Sequence, residues 1–211
     1  MKVIFGTTNE RKVEDLREQS RALGIDLEII GMNDIGWDLG EIEENGATIE
    51  ENSLIKAKAV HDFCIKHNIH YPIITDDAGL FCESLNGEPG IFTARYADDE
   101  RKLNPELPKY QCVIKLLNNM KDIINRKAMY KCSVTCMFPD GTYFQEYGES
   151  TGTIATEIIG ELKKPYFYSI FILDGYNKAF SELHGDELQE TYRFTANKRV
   201  LTRLNSTSKH N

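Results

Sequence analysis

The sequence predicts an α/β protein built on one hydrophobic core, and three observations carry that expectation. Short apolar runs of strand length alternate with amphipathic stretches of helix length. The 211 residues are 41% hydrophobic and 27% charged, the ordinary globular range, so the chain can bury a full core. No internal repeat or low-complexity segment divides it. The expectation is a single domain over residues 1–205, with room for two lobes, and a polar tail over 206–211.

Taken in order, Lys2–Gly6 is a first strand, and Asn9 caps a helix from about Glu10 to Leu23 that stops at Gly24. Val13, Leu16 and Leu23 give that helix its buried stripe. The run Gly6-Thr7-Thr8-Asn9-Glu10-Arg11-Lys12 therefore sits on a strand-to-helix turn. Free backbone N–H groups and the positive end of the helix dipole make such a turn receptive to phosphate, with Lys12 one turn in; an ordinary capped helix start is the alternative. The P-loop spacing GxxxxGK[ST] is absent. A second strand, Leu27–Gly31, leads into an acidic segment from Trp37 to Gly46. Asp38, Glu41, Glu43 and Glu44 in that segment form either a solvated loop or half of a metal site. Thr48 and Glu51 then make a capping box for a long helix to about His67, which carries Lys56 and Lys58.

Tyr71–Thr75 reads as a buried strand, followed at once by Asp76 and Asp77. Neighbouring side chains on a strand point to opposite faces, so one aspartate aims into a cleft and the other away, unless the strand ends there. Paired carboxylates at a strand end suit a divalent metal or a general base, and equally a charged turn. Asn86-Gly87-Glu88-Pro89-Gly90 is a tight loop before Ile91-Phe92-Thr93-Ala94-Arg95-Tyr96. Asn104-Pro105 opens a helix to about Asn125, with Val113, Leu116, Leu117, Met120 and Ile124 inside. Residues 128–138 alternate, and Pro139-Asp140-Gly141 turns them into a partner strand over 142–147. Residues 150–159 form a further strand, 166–173 are aromatic and apolar, and a last helix covers about 196–204.

Composition narrows the setting. A net charge of -8 argues against a broad nucleic-acid or anionic-membrane surface. Five cysteines, an odd number with no CxxC pair, read as small buried residues in a reducing compartment. The first residues lack the apolar core of a signal peptide, and no run approaches the ~18 apolar residues of a membrane span. A cytoplasmic protein is expected.

Three stretches together resemble one family, the HAM1-like inosine triphosphate pyrophosphatases that clear non-standard purine nucleotides. Thr7-Thr8-Asn9-Glu10-Arg11-Lys12 is similar to its T-x-N-x-x-K phosphate loop. Glu43-Glu44-Asn45-Gly46-Ala47-Thr48, with Glu51-Asn52-Ser53-Leu54-Ile55-Lys56-Ala57, is similar to its E-E-x-G-x-T…E-N-x-x-x-K-A segment. Asp76-Asp77-Ala78-Gly79-Leu80 and Gly87-Glu88-Pro89-Gly90-Ile91-Phe92-Thr93-Ala94-Arg95-Tyr96 resemble D-D-S-G-L…G-x-P-G-x-x-S-A-R-Y. The resemblance implies an elongated two-lobed α/β fold, a long twisted mixed β-sheet flanked by helices with a central nucleotide cleft, usually a homodimer.

It also implies Mg2+-dependent hydrolysis of ITP, dITP or XTP to the monophosphate and pyrophosphate. Mg2+ would be held by Glu43 and Asp77, with Asp77, Lys12 and Lys56 catalytic. Thr7, Thr8, Asn9, Lys12 and Ala78 would bind substrate, Ala78 replacing the serine beside the catalytic aspartate. Arg95 would be a pocket cation or the pair of a loop carboxylate. The second half departs from the pattern. The F-G-Y-D-P-x-F run corresponds to Lys164–Phe171, where Phe167 could still stack on a purine. The S-H-R that contacts a 6-keto purine falls near Thr195–Arg199, with Asn197 or Lys198 as substitute donors and Thr191 or Arg193 near the place of a missing lysine. Those losses leave an alternative: a subunit that binds a purine nucleotide such as dITP as a sensor for an effector protein.

Overall fold

A computed structural model describes residues 1–38, 40, 42–163 and 165–208. Glu41, one of the four clustered carboxylates, Lys164 of the departed motif and the last residues of the expected tail lie outside the described residues, as does Leu39. The elements are β1 (Lys2–Phe5), α1 (Glu10–Ala22), β2 (Glu28–Gly31), α2 (Ile49–Lys66), β3 (Ile73–Cys82), β4 (Pro89–Gly90), α3 (Asp98–Leu103), α4 (Gln111–Asn119), β5 (Lys127–Met137), β6 (Tyr143–Ile154), β7 (Phe171–Leu173) and α5 (Tyr192–Ser208). Strand order is β2-β1-β3-β5-β6-β7, with β4 paired to β3. β1 runs parallel to β2 and β3, while β3–β4 and β6–β7 are antiparallel. The fold is thus α/β, with helices flanking a mixed sheet.

The chain divides into two compact units, and the first comprises Met1–Asp77, Cys132–Gly148 and Arg193–Asn211. Its core joins Ile4, Met32, Val60, Phe63, Cys64 and Ile73, with Trp37 and Ile42 packed against it. Asn9 caps α1 as expected, its side chain accepting from Arg11 N and Lys12 N. α2 opens on Thr48, whose hydroxyl accepts from Glu51 N. α5 begins four residues earlier than 196 and is helical through Ser208, so the expected tail is helical over 206–208. The reason for the early start lies at Tyr192, whose backbone N–H donates to Ser150 Oγ at 2.8 Å, satisfying one of the groups a helix start leaves open.

The second unit comprises Ala78–Lys131 and Glu149–Tyr192. An aromatic cluster forms its core: Tyr130 stacks on Tyr192 at 4.8 Å and meets Phe171 and Phe180 edge-on. Of the helix expected from 104 to 125 only α4 forms, because Pro105 and Pro108 keep the first residues of that span out of the ladder, and a separate short helix, α3, precedes it. The second stops at Asn119, and Asp122 takes a left-handed φ of 62°, so Ile124 is fully exposed rather than buried. Two expected strands, 142–147 and 150–159, are the single strand β6, which ends at Ile154. Pairing of Gly152, Thr153 and Ile154 with Leu173, Ile172 and Phe171 carries it past Gly148 without a turn.

β3 also runs on, through both aspartates to Cys82, instead of ending at Thr75. The extension is held by Leu80 and Phe81 pairing with Gly90 and Pro89 of β4. A glycine at 79 makes that approach possible, since a Cβ there would lie 2.4 Å from the Gly90 carbonyl oxygen, a backbone atom with little freedom to yield. Gly79→Ala is therefore expected to lower stability by about 1–3 kcal/mol, read as a lower urea midpoint with an unchanged denaturant slope.

Candidate active site

The acidic segment is clamped by the helix that follows it. Asn52 Oδ1 accepts from Gly46 N at 2.8 Å, and Glu51 Oε2 accepts from Ala47 N at 2.6 Å. Gly46 has no side chain because a Cβ there would lie 2.7 Å from Glu51 Cβ and 2.8 Å from Asn52 Oδ1. One turn further along α2, Lys56 Nζ donates to Glu44 Oε2 at 3.1 Å and reaches Asp77 Oδ1 at 3.5 Å. The spacing of Glu51, Asn52 and Lys56 thus performs two tasks, fixing the loop and placing an ammonium between two carboxylates.

Burial pushes the Asp77 carboxyl up, and the neighbouring Glu44 adds to the rise, while Lys56 and Asn52 oppose it. Burial alone would lower the Lys56 ammonium, but Asp77, Asp76 and Glu44 together raise it. Asp77 Oδ2 is buried and has no hydrogen-bond partner among the described residues. Such an orphaned oxygen, beside a second carboxylate, is suited to a hard cation. Among the described residues no group of three or more His, Cys, Asp or Glu could hold an ion. A Mg2+ ion fits this pair all the same, because it keeps waters and takes one or two carboxylates plus substrate phosphates rather than a full protein cage.

Asp76 is the other half of the site. It is 4% exposed, and Lys12 Nζ donates to both its oxygens at 3.0 and 3.1 Å. Arg193 Nη1 closes a second ion pair with Oδ2. Burial would raise this carboxyl, yet Lys12, Arg193 and Lys56 hold it far below the usual carboxylate range. The adjacent aspartates of β3 therefore meet different direct partners, as strand alternation requires, Asp76 with Lys12 and Arg193, Asp77 with Lys56. Burial and the like charge of Arg193 lower the Lys12 ammonium, against the attraction of Asp76.

A profile of the Ham1 family matches residues 3–201. The chain belongs to the Ham1 family. A dITP/XTP pyrophosphatase of Staphylococcus epidermidis is 32% identical over 190 residues, covering 88% of this chain and 86% of that protein. One of Borrelia recurrentis is 34% identical over 185 residues, with 88% and 87% covered. Among solved structures, the Staphylococcus aureus Ham1 protein superposes with a TM-score of 0.81 at 26% identity, over 98% of this chain and 100% of that one.

Within this Ham1 chain the expected site residues fall into three groups. Lys12, Lys56 and Asp77 lie in the ion-pair cluster just described, with Ala78 half-buried next in β3. Thr7, Thr8 and Asn9 do form the strand-to-helix turn, but its N–H groups are not all open: Asn9 Oδ1 takes Arg11 N and Lys12 N, and Thr7 Oγ1 takes Asn9 N. The remaining residues sit elsewhere. Glu43 is exposed, and its neighbour Glu44 is the one turned to Lys56 and Asp77. Phe167 is 3% exposed and packs near Tyr96 with ring centres 6.4 Å apart, so it is a core residue with no open face for a base. Arg95 is exposed and lies over the Phe92 ring at 5.3 Å. The register 195–199 falls inside α5, where Asn197 is buried and Lys198 points outward, and neither meets the aspartates among the described contacts. Glu44, which sequence reasoning placed in the acidic segment without choosing it as a ligand, and Arg193, which it placed only near a missing lysine, are the side chains that the structure adds to the cluster.

Removing the Asp76 charge would strand two cations, so Asp76→Asn is expected to cost about 3 kcal/mol at neutral pH, the low end for a buried pair because both cations are partly exposed. The unfolded carboxyl titrates near about 3.9 and the folded one far lower. The wild-type advantage is therefore full above that unfolded value and is lost as pH falls from it through the folded one. Chemical denaturation of both proteins from pH 7 down to pH about 3 measures it.

Proposed function

We propose that this protein hydrolyses non-standard purine nucleoside triphosphates, ITP, dITP or XTP, to the monophosphate and pyrophosphate with Mg2+. The observation that carries this reading is Asp77, a partly buried carboxylate raised by its surroundings, with one oxygen unpartnered among the described residues and Lys56 and Glu44 beside it. Relatives named dITP/XTP pyrophosphatases support the substrate class.

Glu44 and Asp77 would hold Mg2+, which when bound polarises phosphate oxygens and offsets their charge. Asp77 takes the proton of a water that attacks the α-phosphorus. Its raised pKa, caused first by burial, makes it a stronger base than an ordinary carboxylate. The bond from the α-phosphorus to the bridging oxygen breaks, and pyrophosphate leaves. Lys56 is held among three acidic groups and stays charged, ready to turn from Glu44 and Asp77 toward a phosphate oxygen. Lys12 and the Thr7–Asn9 turn face the same phosphates in this reading. The homodimer expected from the family belongs to it as well, and light scattering tests that part.

Pyrophosphate release from dITP, ITP, XTP and the four common dNTPs is the measurement. Asp77→Asn is expected to keep its fold and lose turnover by at least ~100-fold. Tight binding by the wild type without turnover would instead favour the sensor subunit and its effector protein. A second outcome concerns pH. Because Asp77 must be ionised to accept a proton, kcat is expected to fall on acidification through a value above the ordinary ~3.9 of an aspartate. The pH profile of kcat, measured with Mg2+ saturating, checks it.

A further inference from the structure

Asp76 meets two cations with one charge. Lys12 spans both of its oxygens and Arg193 shares Oδ2, so the group carries an excess positive charge at a place where burial makes charge costly. The Lys12 ammonium is lowered by burial and by Arg193, the direction expected of a cation crowded by another. Exposure is graded across the group. The Asp76 side chain is 4% exposed, Arg193 22% and Lys12 31%, so the carboxylate lies beneath and the two cations lie between it and solvent. An anion approaching from solvent meets the cations first.

The backbone fixes where the two cations start. Lys12 is in the first turn of α1 and Arg193 in the first turn of α5, so side chains from the starts of two helices meet on one carboxylate. Further along α1, Gln19 fastens the start of α5 to that helix by donating from Nε2 to Phe194 O at 2.6 Å, next to Arg193. Gln19 is 2% exposed, so that link is sheltered from competing water. Because both cations sit on the same carboxylate, their heads are near enough for one phosphate group to touch both. A guanidinium offers a planar fork that matches phosphate oxygens, which a second lysine would not.

We propose that Arg193 is a phosphate-binding residue of this chain: held beside Lys12 by Asp76, it takes a phosphate of the nucleotide's polyphosphate chain. The identity of the ligand as a nucleoside triphosphate rests on the hydrolase reading above. The match of a cation pair to a polyphosphate does not depend on turnover.

Inorganic tripolyphosphate, which carries neither base nor sugar, is the probe, and inosine, which carries no phosphate, is its counterpart. Calorimetry on the full chain is expected to show Arg193→Gln weakening tripolyphosphate about tenfold or more, the loss of a charge-assisted hydrogen bond. Inosine affinity is expected to be unchanged, KM for dITP to rise more than kcat falls, and Arg193→Lys to recover part of the tripolyphosphate affinity. Unchanged tripolyphosphate affinity in Arg193→Gln overturns the proposal. So does a loss confined to inosine, which would make Arg193 a reader of the base.

Should Arg193→Gln fail to fold, NMR of the wild type decides. The Nε–H resonance that disappears in Arg193→Lys shifts on addition of tripolyphosphate if the proposal holds, and a stationary resonance overturns it. Wild-type protein that releases no pyrophosphate from any nucleotide, yet binds tripolyphosphate through Arg193, would remove the hydrolase reading and leave this one standing. Intact turnover with unchanged tripolyphosphate affinity in Arg193→Gln would do the reverse.

Discussion

The first unit depends on a charge that cannot be left alone. Asp76 lies inside β3 at 4% exposure, and an isolated carboxylate at such a depth would take up a proton rather than stay ionised. Lys12 of α1 and Arg193 of α5 keep it ionised, from positions 64 and 117 residues away in sequence. Both pairs can form only once strand and helices are assembled. The ion pairs therefore report on correct assembly of β3, α1 and α5, and their geometry is set by packing that surrounds them. Leu16 of α1 and Val200, Leu201 and Leu204 of α5 are all buried and supply that packing.

A second buried polar network sets the other half of the site. Thr75 Oγ1 donates to Ser53 O at 2.7 Å, and the Ser53 and Thr135 hydroxyls meet at 2.6 Å. Gln145 Nε2 then donates to Thr135 Oγ1 and to Glu50 O, both at 2.9 Å. These bonds tie α2 to β3, β5 and β6 within the first unit. Their effect on the site is rotational. α2 cannot turn about its axis without breaking them, so Asn52 stays under the acidic loop and Lys56 stays between Glu44 and Asp77. Buried hydroxyl and amide groups are expensive unless satisfied, and here the satisfaction fixes one arrangement out of several that apolar packing would tolerate.

Much of this was legible in the sequence, for reasons that can be named. Asn9 and Thr48 are short polar side chains in front of amphipathic runs, and capping is a local interaction that needs no knowledge of the fold. The two aspartates after an apolar run marked the site for the same reason. The failures are all non-local. Whether Glu43 or Glu44 turns inward depends on how Asn52 and Glu51 hold the loop backbone, and one residue of offset reverses the side. β3 continues past Thr75 only because β4 is there to pair with it, and β6 passes Gly148 only because β7 pairs with its end. Phe167 reads as a candidate stacking ring in isolation and is a core residue once Tyr96 packs near it. Arg193 stood only near the place of a missing lysine, and its partner is a carboxylate more than a hundred residues earlier in the chain.

Two adjacent aspartates on one strand end with opposite acidities, and the difference explains why the chain needs both. Asp76, with a cation on each oxygen, is driven far below the usual range and holds its charge more firmly than an ordinary carboxylate. Asp77 has one long contact to Lys56, one oxygen without a partner and Glu44 nearby, and its affinity for a proton is raised. A carboxylate that never releases its charge can organise cations and cannot exchange protons; one whose charge is poorly stabilised can do the exchange and holds cations less firmly. Environments that push two neighbouring titratable groups apart in this way divide their roles. A single aspartate would have to choose, because every donor added to hold Lys12 and Arg193 would weaken it as a base. Strand alternation resolves the conflict at the cost of one residue, sending neighbouring side chains to different partners while the shared backbone keeps both anions beside Lys56.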